Sequence, residues 1–300
     1  MSKKSKASKS SKSARKPKGA KKGAAKRPSG RLMSVATNAR KAINERVAAI
    51  AEAPLAVCES DENLQSMLNV LRSEEEPIEV RLAALQAIQA ASFSVVTFES
   101  CRSEYIATLR QVATDPDMEL RQRVLGILAR EKDGFAQRKL LEGLQNPEKA
   151  LVPPEKALQL LSNDVHAEAY AAAREIVNNP PSDTARREAL RLLAADATAA
   201  PMFEKLLRDK DEQAEIRQIS ASALQALKPE KLQEHARAIL LDTSEYDDIQ
   251  ATSLTAITQF GDEQAVAEDK TLMRRIDNMK DEASTKIKQS ARRFLTKYGQ

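Results

Sequence analysis

The sequence predicts an all-α chain: a solenoid of about seven stacked helix pairs behind a disordered, basic N-terminal tail. Three observations carry this expectation. Ala, Leu, Glu, Lys, Gln and Arg, the strong helix formers, dominate the 300 residues, while aromatic residues make up 3% and Trp is absent. From Leu32 onward apolar residues recur at spacings of three and four, the period of one helix face. One segment type also returns seven times at intervals of 31–40 residues, with breakers between copies.

Residues 1–31 form the tail. They hold 13 of the 48 basic residues (Lys3, Lys4, Lys6, Lys9, Lys12, Arg15, Lys16, Lys18, Lys21, Lys22, Lys26, Arg27 and Arg31) and none of the 43 acidic ones. Prolines aside, no apolar residue larger than Ala lies between Met1 and Leu32, so no buried surface offsets the roughly 1–2 kcal/mol per residue that backbone ordering costs. The remaining 35 basic and 43 acidic residues leave a body of net charge −8. A secretory signal would need an apolar h-region, and a transit peptide would be Arg-rich and amphipathic; the tail is neither. No apolar run reaches 18 residues, so no transmembrane helix is expected. Two cysteines, Cys58 and Cys101, build no disulfide framework and are read as buried thiols in a reducing compartment. The localisation expected is cytoplasmic, not secreted, with nucleoid or nucleus as the alternative suggested by the tail.

The solenoid is expected over residues 32–300. Residues 32–51 read as one opening helix on Leu32, Val35, Ala39, Ile43, Val47 and Ile50, within an N-terminal cap of 32–62. Central repeats follow over 63–262, then a C-terminal cap repeat over 263–300. The recurring helix aligns on Val80, Leu120, Pro153, Ala185, Ile216, Ile249 and Ile287. Eight residues on stand Ile88, Leu128, Leu161, Leu193, Leu224, Ile257 and Leu295; four residues on, mostly small ones, such as Ala84, Ala157, Ala189, Ser220 and Ala291. Offsets four and eight share a helix face, where small residues admit a neighbouring helix and Leu or Ile fills the core. A second amphipathic stretch precedes each copy, for example Leu64, Leu68 and Leu71. Breakers such as Glu76-Pro77 and Asp115-Pro116-Asp117 separate the two.

The pattern is similar to that of the HEAT family, an armadillo-like α-α superhelix. Its Val-Arg-x-x-Ala-x-x-x-Leu signature stands here as Val80-Arg81 with Ala84 and Ile88, as Leu120-Arg121 with Val124 and Leu128, and as Ile216-Arg217 with Ser220 and Leu224. The third copy departs, with Pro153-Pro154-Glu155 in place of Val-Arg, and the sixth has Gln250 at the arginine position. A tetratricopeptide array would keep a strict 34-residue period and a Trp/Leu-Gly/Tyr pattern, both missing here. The resemblance implies that Arg81, Arg121, Arg186 and Arg217 form a structural ladder with acids in the turns. The other reading, a column of cations tracking phosphates, is the weaker one.

No catalytic constellation stands out. His166 and His235 lie far apart, and His166-Ala167-Glu168 lacks the Pro-Cys-x-x-Cys partner of the zinc deaminases. Neither G-x-G-x-x-G nor a Walker A loop occurs, and Ser13-x-x-Lys16 sits in the tail. No metal and no cofactor are expected. The exposed side of the second helices carries Gln86, Gln89, Gln122, Gln159, Arg187, Arg191, Gln218 and Gln225, a largely neutral polar groove suited to a protein partner. The chain is therefore read as a non-enzymatic scaffold or adaptor that binds a protein through this groove, its tail meeting a polyanion. The alternative is a nucleic-acid-binding protein driven by the tail without sequence preference. With about 8 phosphates neutralised, its log K would fall with log salt at a slope near −7. Third come the HEAT-like DNA glycosylases and bilin lyases, disfavoured by the missing Trp and the weakly basic groove.

Overall fold

Helices pair in sequence order and stack into two layers. The structure is a computed structural model that describes residues 28–53, 56–93, 98–164, 167–282 and 284–299; the expected disordered tail falls, up to residue 27, outside them. The first pair is α1 (Pro28–Ala36) and α2 (Ile43–Ala51); then come α3 (Asp61–Arg72) and α4 (Ile78–Ser92), and α5 (Arg102–Val112) and α6 (Met118–Arg130). The middle pairs are α7 (Gly134–Gln145) with α8 (Pro154–Leu161), α9 (Ala167–Asn178) with α10 (Asp183–Leu193), and α11 (Ala200–Arg208) with α12 (Ala214–Leu227). The stack ends with α13 (Pro229–Leu241) and α14 (Asp247–Phe260), a short α15 (Glu263–Glu268), and the pair α16 (Lys270–Glu282) and α17 (Thr285–Tyr298). Each second helix packs on the next one along the chain, α2 on α4 and so on to α14 on α17. That stacking makes the molecule an all-α solenoid.

The anchors do what their spacing implies. Val80, Leu120, Ala185, Ile216, Ile249 and Ile287 are buried, as are the small residues four places on. Pro153, the anchor of the aberrant third copy, is exposed. Helix starts carry the side-chain acceptors their free amides need: Ser60 for Asn63, Asp117 for Leu120, Asp133 for Phe135 and Ala136, and Ser182 for Ala185.

Two boundaries differ from expectation. Residues 32–51 are two helices, not one: the Asn38 side chain accepts from the Arg40 amide, an Asx turn that competes with helix, and the chain re-enters helix at Ile43. Pro28–Arg31 belongs to α1 rather than to the tail. The core is also not one seam. Buried residues from Met33 to Ala256 form one cluster and those from Ala236 to Tyr298 another, which interleave on α13 and α14.

Candidate functional site

Arginines one place after the anchors face the turns. In three rungs the Nε donates to the carbonyl ten residues back: Arg46 to Ala36 at 2.9 Å, Arg81 to Leu71 at 3.1 Å and Arg217 to Leu207 at 3.0 Å. At least one remaining guanidinium nitrogen of each then reaches a carboxylate of the next repeat, while the Arg46 Nη2 is buried without a hydrogen-bond partner. Arg46 meets Glu76 at 2.6 Å, Arg81 meets Asp115, and Arg217 grips both oxygens of Glu245 at 2.8 and 2.6 Å. Arg186 binds Glu212 in the same two-pronged way at 3.0 and 2.6 Å, which holds the Glu212 carboxyl below its usual range. Arg46 is a rung that the sequence reading passed over, because α2 was hidden inside a single expected helix. Two of the acids in these rungs, Asp115 and Glu245, are buried.

Arg121 breaks the series. Among the described residues it pairs with no carboxylate. Its Nε reaches forward instead of back, to the Leu151 carbonyl at 2.6 Å, and its Nη1 binds the Asp115 and Pro116 carbonyls at 2.6 and 3.2 Å. Its membership of the expected ladder is therefore corrected. The cause is the aberrant third copy: between α7 and α8 the chain makes a 3-10 turn at Pro147–Lys149 and then runs on to Pro153-Pro154. That turn presses on α7. A Cβ on Gly143 would lie 2.9 Å from Ala150 Cα, so only glycine fits there.

The same turn bounds a recess of about 540 Å3 between α6, α7, α8 and α9. Its walls are mainly apolar, with Met118, Leu144, Leu151, Val152, Ala172 and Ile176, and four prolines (Pro147, Pro153, Pro154 and Pro181) close it. Three polar side chains join them: Arg121, Glu175 and Asn179. Met118, 57% exposed, keeps a large apolar side chain in solvent at its edge.

The expected polar groove divides. Gln86, Gln89 and Gln122 line one depression of about 500 Å3 with Glu119, Arg123, Arg130 and Lys156. Arg191 and Gln218 line another, of about 300 Å3. Gln159 is exposed on α8 and Gln225 half-buried on α12, outside both. The two groove arginines are already engaged: Arg187 lies 3.3 Å from Glu215, and Arg191 bonds Glu215 at 2.9 Å and also Glu188. Stacked second helices place these cations, two and six places after Ala185, beside an acid of the next one.

A second series of ion pairs, missed in the sequence, ties first helices to the following turn. Arg110 binds Asp133 at 2.6 Å, Arg174 binds Asp196, and Arg237 binds Asp269 at 2.5 Å. Burial pushes the Asp133 carboxyl up, but Arg110 and the amides of Ala136 and Phe135 outweigh it and hold it below the usual range. His235 Nε2 donates to the Glu204 carboxylate at 2.8 Å, whereas His166 falls outside the described residues. Cys101 is half-buried, not buried, with its Sγ 3.7 Å from Asp61 Oδ1; the Cys58 side chain lies outside the described residues. Among the described residues no three His, Cys, Asp or Glu side chains gather as metal ligands, and no helix is long and apolar enough to cross a membrane.

No protein-family model and no curated protein matches the chain. Among solved structures it is similar to human deoxyhypusine hydroxylase, determined in complex with glycerol, at 14% identity and a TM-score of 0.34, over 82% of this chain and 99% of that one. The expectation of a non-enzymatic scaffold is corrected by this finding: the matched protein is an enzyme, so neither the scaffold reading nor the exclusion of catalysis stands. Nothing of that protein's activity passes to this chain at so low a likeness.

Proposed function

We propose that this protein works by holding a ligand in the recess between α6, α7, α8 and α9. The observation that carries the reading is a mainly apolar cavity of about 540 Å3 with a few convergent polar groups, the usual make-up of a small-molecule site. Holding a ligand is a step common to a carrier and a catalyst, and the reading commits to that step. The repeat itself is read as HEAT-type, supported by Arg81 and Arg217, each one place after an anchor and bonded to the carbonyl ten residues back, and by Arg46, which makes the same bond. A methyl-labelled full-length chain, screened against small apolar molecules, tests the proposal. The expected hits move the signals of Leu144, Val152 and Ile176. A screen whose hits all act elsewhere overturns it.

A second reading concerns residues 1–31, where 13 cations stand without an acid. We infer that they contact a polyanion through charge alone. Polyphosphate titrated into the full chain and into one lacking residues 1–27 is the test, and equal binding by both refutes it.

A further inference from the structure

We propose that the ligand of this recess is an apolar carboxylate whose head group binds Arg121. The inference rests on the recess reading and adds the chemical class. Arg46, Arg81, Arg186 and Arg217 each have a carboxylate from the next repeat. Arg121 stands at the equivalent position with carbonyls only, all of them on Nε and Nη1. Its Nη2 has no acceptor among the described residues, and its full charge is balanced by dipoles rather than by an anion. The two Nη2 hydrogens are the donors left over, and an anionic oxygen is the acceptor that also supplies the missing charge, so the group completing this rung is a carboxylate brought from outside.

The missing partner and the cavity have one cause. The turn after α7 draws the Arg121 Nε forward to Leu151 and leaves the space lined by Val152, Ile176 and Leu144 unfilled. A cation therefore borders an apolar volume, and the matching ligand has an anionic head and an apolar body. Asn179, also lining the recess, has an amide able to donate to the same head group. Glu175 is the opposing charge. It is exposed, makes no ion pair with Arg121, and can turn into solvent. Aliphatic acids and the C-terminus of a short apolar peptide share this chemistry.

The experiment titrates octanoate, octanol, octylamine and N-acetyl-Leu-Leu into the full chain and follows the Leu144, Val152 and Ile176 methyls with the Arg121 Nε–H signal. The expected result is that octanoate, N-acetyl-Leu-Leu or both bind about tenfold more tightly than octanol and move Arg121, whereas octanol does not. Arg121→Met should erase that tenfold advantage and leave octanol binding unchanged. The Arg121 signal of the unaltered chain gives the same answer should the variant fail to fold. Octanol binding as tightly as both acids, or octylamine binding best through Glu175, overturns the carboxylate assignment and leaves the recess reading standing. If no probe moves the recess methyls, both fall. Octanoate against the peptide acid decides which source of the carboxylate fits.

Discussion

Removing Arg217 should be far more damaging than removing an exposed arginine. Its side chain and that of Glu245 are 3% and 1% exposed. Arg217→Met deletes three hydrogen bonds, to the Leu207 carbonyl and to both Glu245 oxygens, and leaves Glu245 with only the Tyr246 amide at 2.9 Å and Lys210 at 3.3 Å. Breaking a buried pair from one side costs about 3–5 kcal/mol, because the remaining charge stays desolvated. A leucine pair at both positions should recover most of that loss, since it strands no charge. Burial pushes the Glu245 carboxyl up, and at present the Arg217 bonds, the Tyr246 amide and Lys210 outweigh it and hold the carboxyl low. In the native chain this pair's contribution is full above the ordinary glutamate range and is lost as pH falls through the depressed value. Without Arg217 the balance reverses: the carboxyl rises, and the variant's deficit narrows on acidification as Glu245 takes up a proton. Urea unfolding at pH 7 and pH 5 measures both effects. A deficit under about 1 kcal/mol at pH 7, against the 3–5 expected of a buried pair, would refute the reasoning. So would a deficit that does not change between the two pH values.

Further outcomes follow from single contacts. Gly143→Ala should cost about 1–3 kcal/mol by urea unfolding, since its Cβ would strike the Ala150 backbone, and should shift the methyls lining the recess. Lys132 has φ 55° at the C-terminus of α6, where the Asp133 amide bonds the Leu128 carbonyl; Lys132→Gly should therefore stabilise the chain by about 0.5–1 kcal/mol in thermal unfolding. Lys149 at 2.8 Å and Lys139 at 2.9 Å hold the Glu142 carboxyl at about 2, so a carbon-detected titration should find it ionised throughout mildly acidic pH, and Lys149→Met should raise its midpoint. Burial, then the Glu131 charge, push the Tyr105 hydroxyl up, so on raising pH its ultraviolet ionisation should come well above the ordinary tyrosine range.

The helices were legible because the information for them is local. Offsets four and eight from each anchor lie on one face, and burial of Ala84 with Ile88 or Ala189 with Leu193 follows from that spacing alone. The Asn38 break in the opening helix was also readable in principle, since an Asx turn needs only neighbouring residues, but the apolar spacing across it masked the signal. Site residues were harder. A ladder partner lies 26–34 residues away from its arginine, and several acids stand in each turn, so spacing could not choose Glu76, Asp115, Glu212 and Glu245 from their neighbours. The groove failed for a related reason. Residues two, six and nine places after an anchor point outward on an isolated helix, but stacking sets Glu215 against Arg187 and Arg191 and neutralises them.

The third copy marks the boundary between the two kinds of knowledge. Pro153-Pro154-Glu155 in place of Val-Arg announced that something departs there, because proline cannot sit inside a helix and leaves the turn to adjust. What the departure creates, an arginine with no acid among the described residues beside an apolar hollow, depends on how four helices from three repeats come together. Periodicity along a chain encodes which face is buried; cavities and charge partners arise between faces, where distant segments meet.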